Sequence, residues 1–310
     1  MIALKILLLC IGFALLIKGA DWFVDGCSGI ANRFGIPQIV IGLTIVAMGT
    51  SAPEAAVSIT AALKGNVGIS VGNVIGSNIL NVLIILGITS LIIPLNLKKS
   101  TLKYEIPFMI FMSIMMIVMG IEKNSISRIE GMIMWFFFLG YLMYLFFLSR
   151  KEKDDNLEDK TETIWKLLMF AIIGVITIIL GSNISVDAAT AIAKQIGISN
   201  RIIGLTIVAL GTSLPELVTS IIAARKGNDD IAIGNIVGSN IFNILFVIGT
   251  SSIIIPIKFQ NPFIVDGIVA VLAGISLFLL TMKRKQLNRV GGMILLCEYA
   301  VYSVYLFNNN

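Results

Sequence analysis

Two stretches of this chain, IGLTIVAMGTSAPE at 41–54 and IGLTIVALGTSLPE at 203–216, are identical at 12 of 14 positions. A second pair, GNVIGSNILN at 72–81 and GNIVGSNIFN at 234–243, agrees at 7 of 10. Both pairs lie 162 residues apart, and the same offset joins Gly19 to Gly181, Asp25 to Asp187 and Pro94 to Pro256. No gap is needed across that stretch, so one unit has been duplicated. Any fold must be assembled from two copies of the same half.

The medium follows from composition. Of 310 residues, 57% are hydrophobic and 13% charged, with mean hydropathy +0.95. Soluble domains carry about 25% charged residues, so most of this surface does not meet water. Apolar runs such as 106–120, 131–148, 167–181 and 264–280 recur along the whole chain, at roughly the 17–25 residues of a bilayer span, which one signal peptide cannot explain. The sequence predicts an all-α membrane protein of ten transmembrane helices. Their ranges are 2–19, 37–64, 69–93, 105–121, 129–149, 164–182, 199–224, 231–255, 263–281 and 290–307. Residues 1–149 form a first five-helix repeat, 150–163 a cytoplasmic connector and 164–310 a second repeat. Five spans per half put the second copy upside down relative to the first, an inverted-repeat architecture with its ion site at the midplane.

With the N-terminus outside, 16 Lys and Arg fall in inside loops and 7 outside. The positive-inside rule then predicts both termini extracellular. Cys10, Cys27 and Cys297 make no CxxC, and there are no histidines, which removes the commonest transition-metal ligand.

The duplicated motifs carry the chemistry. Gly49, Pro53, Gly211 and Pro215 weaken helices at mid-membrane, and the prolines remove backbone donors. Carbonyls near Ala47 and Ala209 should thereby be freed, which is tolerable only beside a cavity or a ligand. Thr50, Ser51, Thr212 and Ser213 add hydroxyls, and Glu54 and Glu216 add carboxylates. Thr50 and Glu54, four apart, should share a helical face. The second motif adds Ser77, Asn81, Ser239 and Asn243, on segments whose Gly72, Gly76, Gly234 and Gly238 permit close helix approach. Taken singly, a membrane Ser or Thr usually bonds its own backbone. A buried carboxylate is costly and seldom idle, and here two occupy equivalent positions. Carboxylate, hydroxyl, amide and carbonyl oxygens suit hard cations. Two ionised carboxylates are neutralised by one Ca²⁺ or by two Na⁺. Competing loads on shared oxygens make an antiporter.

At these residues the chain resembles the sodium/calcium exchanger family, whose paired repeats carry G-[TS]-S-x-P-E and G-N-x-x-G-S-N-x-x-N. The short 150–166 loop resembles the small prokaryotic members. The resemblance implies Ca²⁺ held by Glu54 and Glu216 with Thr50 and Thr212. It implies one Na⁺ site from Ala47, Thr50, Ser51, Glu54 and Ser77, and another from Ala209, Thr212, Ser213, Glu216 and Ser239. It also implies sliding of spans 1 and 6 across the bundle and electrogenic exchange. Asn243 stands where several relatives have Asp, so the centre lacks a third carboxylate, which argues against K⁺ co-transport.

H⁺/Ca²⁺ antiport is the alternative, a cation channel a further one, and an intramembrane aspartyl enzyme a remote one. Neither GxxxxGK[ST] nor GxGxxG occurs, so no ATP, cofactor, nucleic-acid partner or enzyme activity is expected, and a monomer suffices. Glu298, outside the repeated motifs, either pairs within the bundle, marks a minor proton path or misplaces the last span. Asp21, Asp25 and Asp187 read as interfacial, Lys18 as snorkelling, and Trp22, Trp135 and Trp165 as interfacial anchors.

Overall fold

The structure is a computed structural model that describes residues 2–122, 124–151, 163–195 and 209–309. Residues 152–162 of the predicted connector and the stretch 196–208, where the seventh predicted span begins, lie outside the described residues. The helices are α1 (Ile2–Phe34), α2 (Gln38–Thr50), α3 (Ala52–Leu63), α4 (Val67–Ile92), α5 (Thr101–Glu122) and α6 (Arg128–Lys151). They continue as α7 (Ile164–Gln195), α8 (Ala209–Thr212), α9 (Leu214–Arg225), α10 (Asp229–Ile254), α11 (Asn261–Met282) and α12 (Arg289–Asn309). Two antiparallel strand pairs supplement them. They join β1 (Leu95–Asn96) to β4 (Gln286–Leu287) and β2 (Ser125–Ile126) to β3 (Ile257–Lys258).

Seven described helices are long and apolar enough to cross a membrane, and the bent pair α2–α3 makes an eighth candidate. Their polarity is inside out. Along α6, Met132, Phe136, Leu139 and Met143 face outward, Phe136 at 73% exposure. Thr50, Glu54, Asn81, Glu216, Asn235 and Asn243 are buried. An apolar rim around a polar centre is stable only in lipid, where helices satisfy their own backbones.

The first helix corrects the predicted 2–19. It runs 33 residues, about 50 Å at ~1.5 Å per residue, because the polar residues after Gly19 do not stop it. Lys226 pairs with Asp21 and Asp25, both at 2.6 Å, and Lys18 with Asp21 at 2.9 Å. The stop is Gly35, at φ +65°, behind which the Ile36 amide reaches back to the Ala31 carbonyl at 2.8 Å, a left-handed C-terminal cap. Likewise α7 runs to Gln195, beyond the predicted 182.

Small residues join α1 to α7. A Cβ added at Gly174 would lie 2.6 Å from the Phe23 amide nitrogen, and one at Gly181 2.7 Å from that of Leu16. Gly174→Ala is therefore expected to push the pair apart and destabilise the protein by about 1–3 kcal/mol. A lowered Tm in detergent would show it. Gly140→Ala, where no described atom lies within 4 Å of the new Cβ, is the neutral control.

Candidate cation site

The two GTSxPE motifs fold into helix breaks. α2 ends at Thr50, Ser51 takes φ −81° and ψ 5°, and α3 restarts at Ala52 with a 52° bend between the two helices. Ser213, at φ −91° and ψ 3°, separates α8 from α9 in the same way. Pro53 and Pro215 sit in the first turns of the restarted helices, where a missing N–H costs nothing. Thr50 and Glu54 therefore belong to different helices, not to one face of one helix as their spacing predicts. The carbonyl expectation also needs correcting: Ala47 O accepts the Ser51 amide at 3.0 Å. Proline at 53 lacks the N–H that would reach residue 49, not residue 47.

Each break places a carboxylate in the first turn of a helix, where the backbone dipole favours negative charge. Glu54 and Glu216 are each 1% exposed. The halves meet here reciprocally: Ser51 Oγ donates to Glu216 Oε1 at 2.8 Å, and Ser213 Oγ to Glu54 Oε1 at 3.4 Å. Ser239 Oγ lies 3.4 Å from Ala47 O. Ser77 is buried on α4; among the described residues no hydrogen bond joins it to the carboxylates. Ala209 opens α8, and residues 203–208 of its motif are outside the described set.

Four asparagines that the spacing argument passed over hold this centre. Asn78 Nδ2 donates to Asn240 O at 3.2 Å and Asn240 Nδ2 to Asn78 O at 3.1 Å. Asn81 Nδ2 donates to Asn240 Oδ1 at 2.9 Å and Asn243 Nδ2 to Asn78 Oδ1 at 3.1 Å. Asn73 Nδ2 reaches Glu54 O (3.3 Å) and Ser58 Oγ (2.9 Å), while Asn235 Nδ2 reaches Glu216 O (3.3 Å) and Ser220 Oγ (3.0 Å). The 162-residue offset was the available signal, since every one of these asparagines recurs in the second copy. At Asn81 and Asn243 the α-helix widens into π-turns, Asn81–Leu86 and Asn243–Ile248, a distortion frequent at functional sites.

The network leaves a distinctive remainder. Among the described residues, Glu54 Oε2, Glu216 Oε2, Asn81 Oδ1, Asn243 Oδ1 and Thr212 Oγ1 are buried without hydrogen-bond partners. Buried polar atoms are ordinarily paired. A set of unpaired oxygens, two of them carboxylate, matches the donors a hard cation needs.

Other residues resolve simply. Glu298 accepts from Ser276 of α11 at 2.8 Å, a pairing within the bundle. Asp187 is exposed. Trp135 donates its indole N–H to Thr250 at 3.1 Å, so it braces α6 against α10.

A helical bundle with an apolar rim and a buried, duplicated carboxylate site defines a multi-pass integral membrane protein of the ion-transporter class. The profile of the sodium/calcium exchanger protein family matches residues 4–147 and 166–308, and the chain belongs to that family, whose members are transporters and not enzymes. It is 31% identical to the sodium/calcium exchanger MaX1 of Methanosarcina acetivorans, over 99% of both chains. It is 35% identical to the inner membrane protein YrbG of Escherichia coli, over 97% of this chain and 96% of that one. Its structure superposes on the sodium-calcium exchanger NCX_Mj, soaked with zero Na⁺ and Ca²⁺, at TM-score 0.87 and 33% identity, covering 99% and 100% of the chains.

Proposed function

We propose that this protein is a secondary antiporter that exchanges Na⁺ for Ca²⁺ by alternating access, electrogenically and as a monomer. The paired, buried Glu54 and Glu216 with their unpartnered oxygens carry the reading. Ca²⁺ takes Glu54, Glu216, Thr50 and Thr212. One Na⁺ takes Ala47, Thr50, Ser51, Glu54 and Ser77, and another takes Ala209, Thr212, Ser213, Glu216 and Ser239. Asn81 and Asn243 complete the centre. Because the sets share both carboxylates, one load must leave before the other binds. On loading, Ser51 and Ser213 turn their protons away from the carboxylates and present lone pairs to the ion.

The ten spans are two inverted repeats, 1–149 and 164–310, joined by a cytoplasmic connector at 150–163, with both termini extracellular. Reciprocal bonds at the 162-residue offset support this, because contacts exchanged between equivalent positions are the mark of a two-fold relation. The strands exchange partners in the same sense, β1 pairing with β4 and β2 with β3. Helices α1 and α7, packed through glycine, slide as one body past the rest. The partly exposed ion pairs from Lys226 to α1 are weak enough to break and re-form.

The test is ⁴⁵Ca²⁺ uptake into proteoliposomes loaded with Na⁺ and diluted into Na⁺-free buffer at fixed pH, with K⁺- or choline-loaded vesicles as controls. Uptake that requires internal Na⁺ is expected. Uptake indifferent to Na⁺ and driven by a pH gradient would replace the reading with H⁺/Ca²⁺ antiport.

A further inference from the structure

We propose that Asn235, which is outside the ligand set assigned above, is a positioning residue that makes Thr50 a cation ligand by taking its hydroxyl proton. The inference rests on the exchange reading and deepens it. Asn235 is fully buried on α10. Its Nδ2 is committed to the second repeat, through Glu216 O and Ser220 Oγ. Its Oδ1 accepts from Thr50 Oγ1, in the first repeat, at 2.9 Å. Thr50 Oγ1 also lies 3.1 Å from Val46 O and 3.3 Å from Ala47 O.

A hydroxyl has one proton and two lone pairs, so these three acceptors, and the Glu216 carboxylate that Thr50 also faces, compete for a single donor. If the proton went to Ala47 O, it would occupy an oxygen assigned to Na⁺ and swing the threonine lone pairs aside. Directed at Asn235, the nearest of the three at 2.9 Å, it leaves the Thr50 lone pairs for the ion. The first repeat separates the two jobs of this asparagine. Asn73 makes the same anchor to Glu54 O and Ser58 Oγ, yet among the described residues Thr212 Oγ1 makes no hydrogen bond to Asn73. Anchoring the restarted helix therefore does not require the threonine bond, and that bond is an addition at Asn235.

The experiment measures Na⁺-driven ⁴⁵Ca²⁺ uptake against external Ca²⁺ for wild type, Asn235→Ala, Ser220→Ala, Thr50→Val and the Thr50→Val/Asn235→Ala double variant. Asn235→Ala is expected to raise the Ca²⁺ KM by about 10-fold, the upper end of what a neutral hydrogen bond contributes, with kcat per folded protein within about twofold. Ser220→Ala removes part of the anchor only and should leave KM unchanged. The double variant should match Thr50→Val alone, since the asparagine acts through the threonine. Should Asn235→Ala not fold, Asn235→Gln, which stays neutral but moves the acceptor oxygen by one methylene, is expected to raise KM in the same way. An unchanged KM in Asn235→Ala, or in Asn235→Gln where it takes its place, or additive effects in the double variant would overturn the inference alone. Wild-type protein that takes up no Ca²⁺ on a Na⁺ gradient would overturn the exchange reading itself, and the inference with it.

Discussion

Glu216→Gln is expected to lower Na⁺-driven Ca²⁺ uptake at least about 100-fold, and Glu54→Gln to do the same. Removing one charge from a buried, mutually dependent set costs about 3–5 kcal/mol, which exceeds two decades in binding. Glutamine keeps the shape and an oxygen that can still accept from Ser51, so the fold should survive. A Tm in detergent close to wild type, measured beside transport in proteoliposomes, separates lost ligation from lost structure. Because either carboxylate serves both proposed loads, the two variants should also lose Na⁺/Na⁺ exchange. Retention of Na⁺ exchange in one variant alone would show that the halves do not share the load.

Asn240→Leu is expected to destabilise the protein by roughly 2–5 kcal/mol. Its side chain donates to Asn78 O and accepts from Asn81 Nδ2. Leucine would strand both partners, and each buried unsatisfied group costs about 1–3 kcal/mol. The damage also reaches the site, because among the described residues Asn81 is oriented through that bond alone. A fall in Tm with loss of the monodisperse peak in size-exclusion chromatography is the expected result, and Asn78→Leu should reproduce it from the other side of the reciprocal pair.

Much of the fold is legible in the sequence because lipid imposes a single rule on long apolar runs, and α4, α5, α6 and α11 lie within a few residues of where those runs fall. The breaks at Ser51 and Ser213 are legible as well, since a proline four residues after a glycine in a buried segment leaves few options. The length of α1 is not. Asp21 and Asp25 read as a membrane surface until Lys226, some 200 positions away, supplies the partner that keeps them on the helix. The asparagine network is hidden for the same reason. Spacing of four within a motif singles out Ser77 with Asn81. The bonds that orient Asn81 run instead to Asn240, in the other copy, and no local periodicity reports them. The π-turns at Asn81 and Asn243 also escape, because a widened helix keeps the composition of an ordinary one.

The central claim is that one set of oxygens holds the two loads in turn. Equilibrium binding of ⁴⁵Ca²⁺ to purified protein in detergent, titrated with Na⁺ at constant ionic strength and pH against choline, addresses it directly. The expected result is full displacement of Ca²⁺ by Na⁺, competitive in form, with no Ca²⁺ bound by Glu54→Gln or Glu216→Gln. Ca²⁺ binding that persists at saturating Na⁺, or that survives loss of either glutamate, would contradict a shared site.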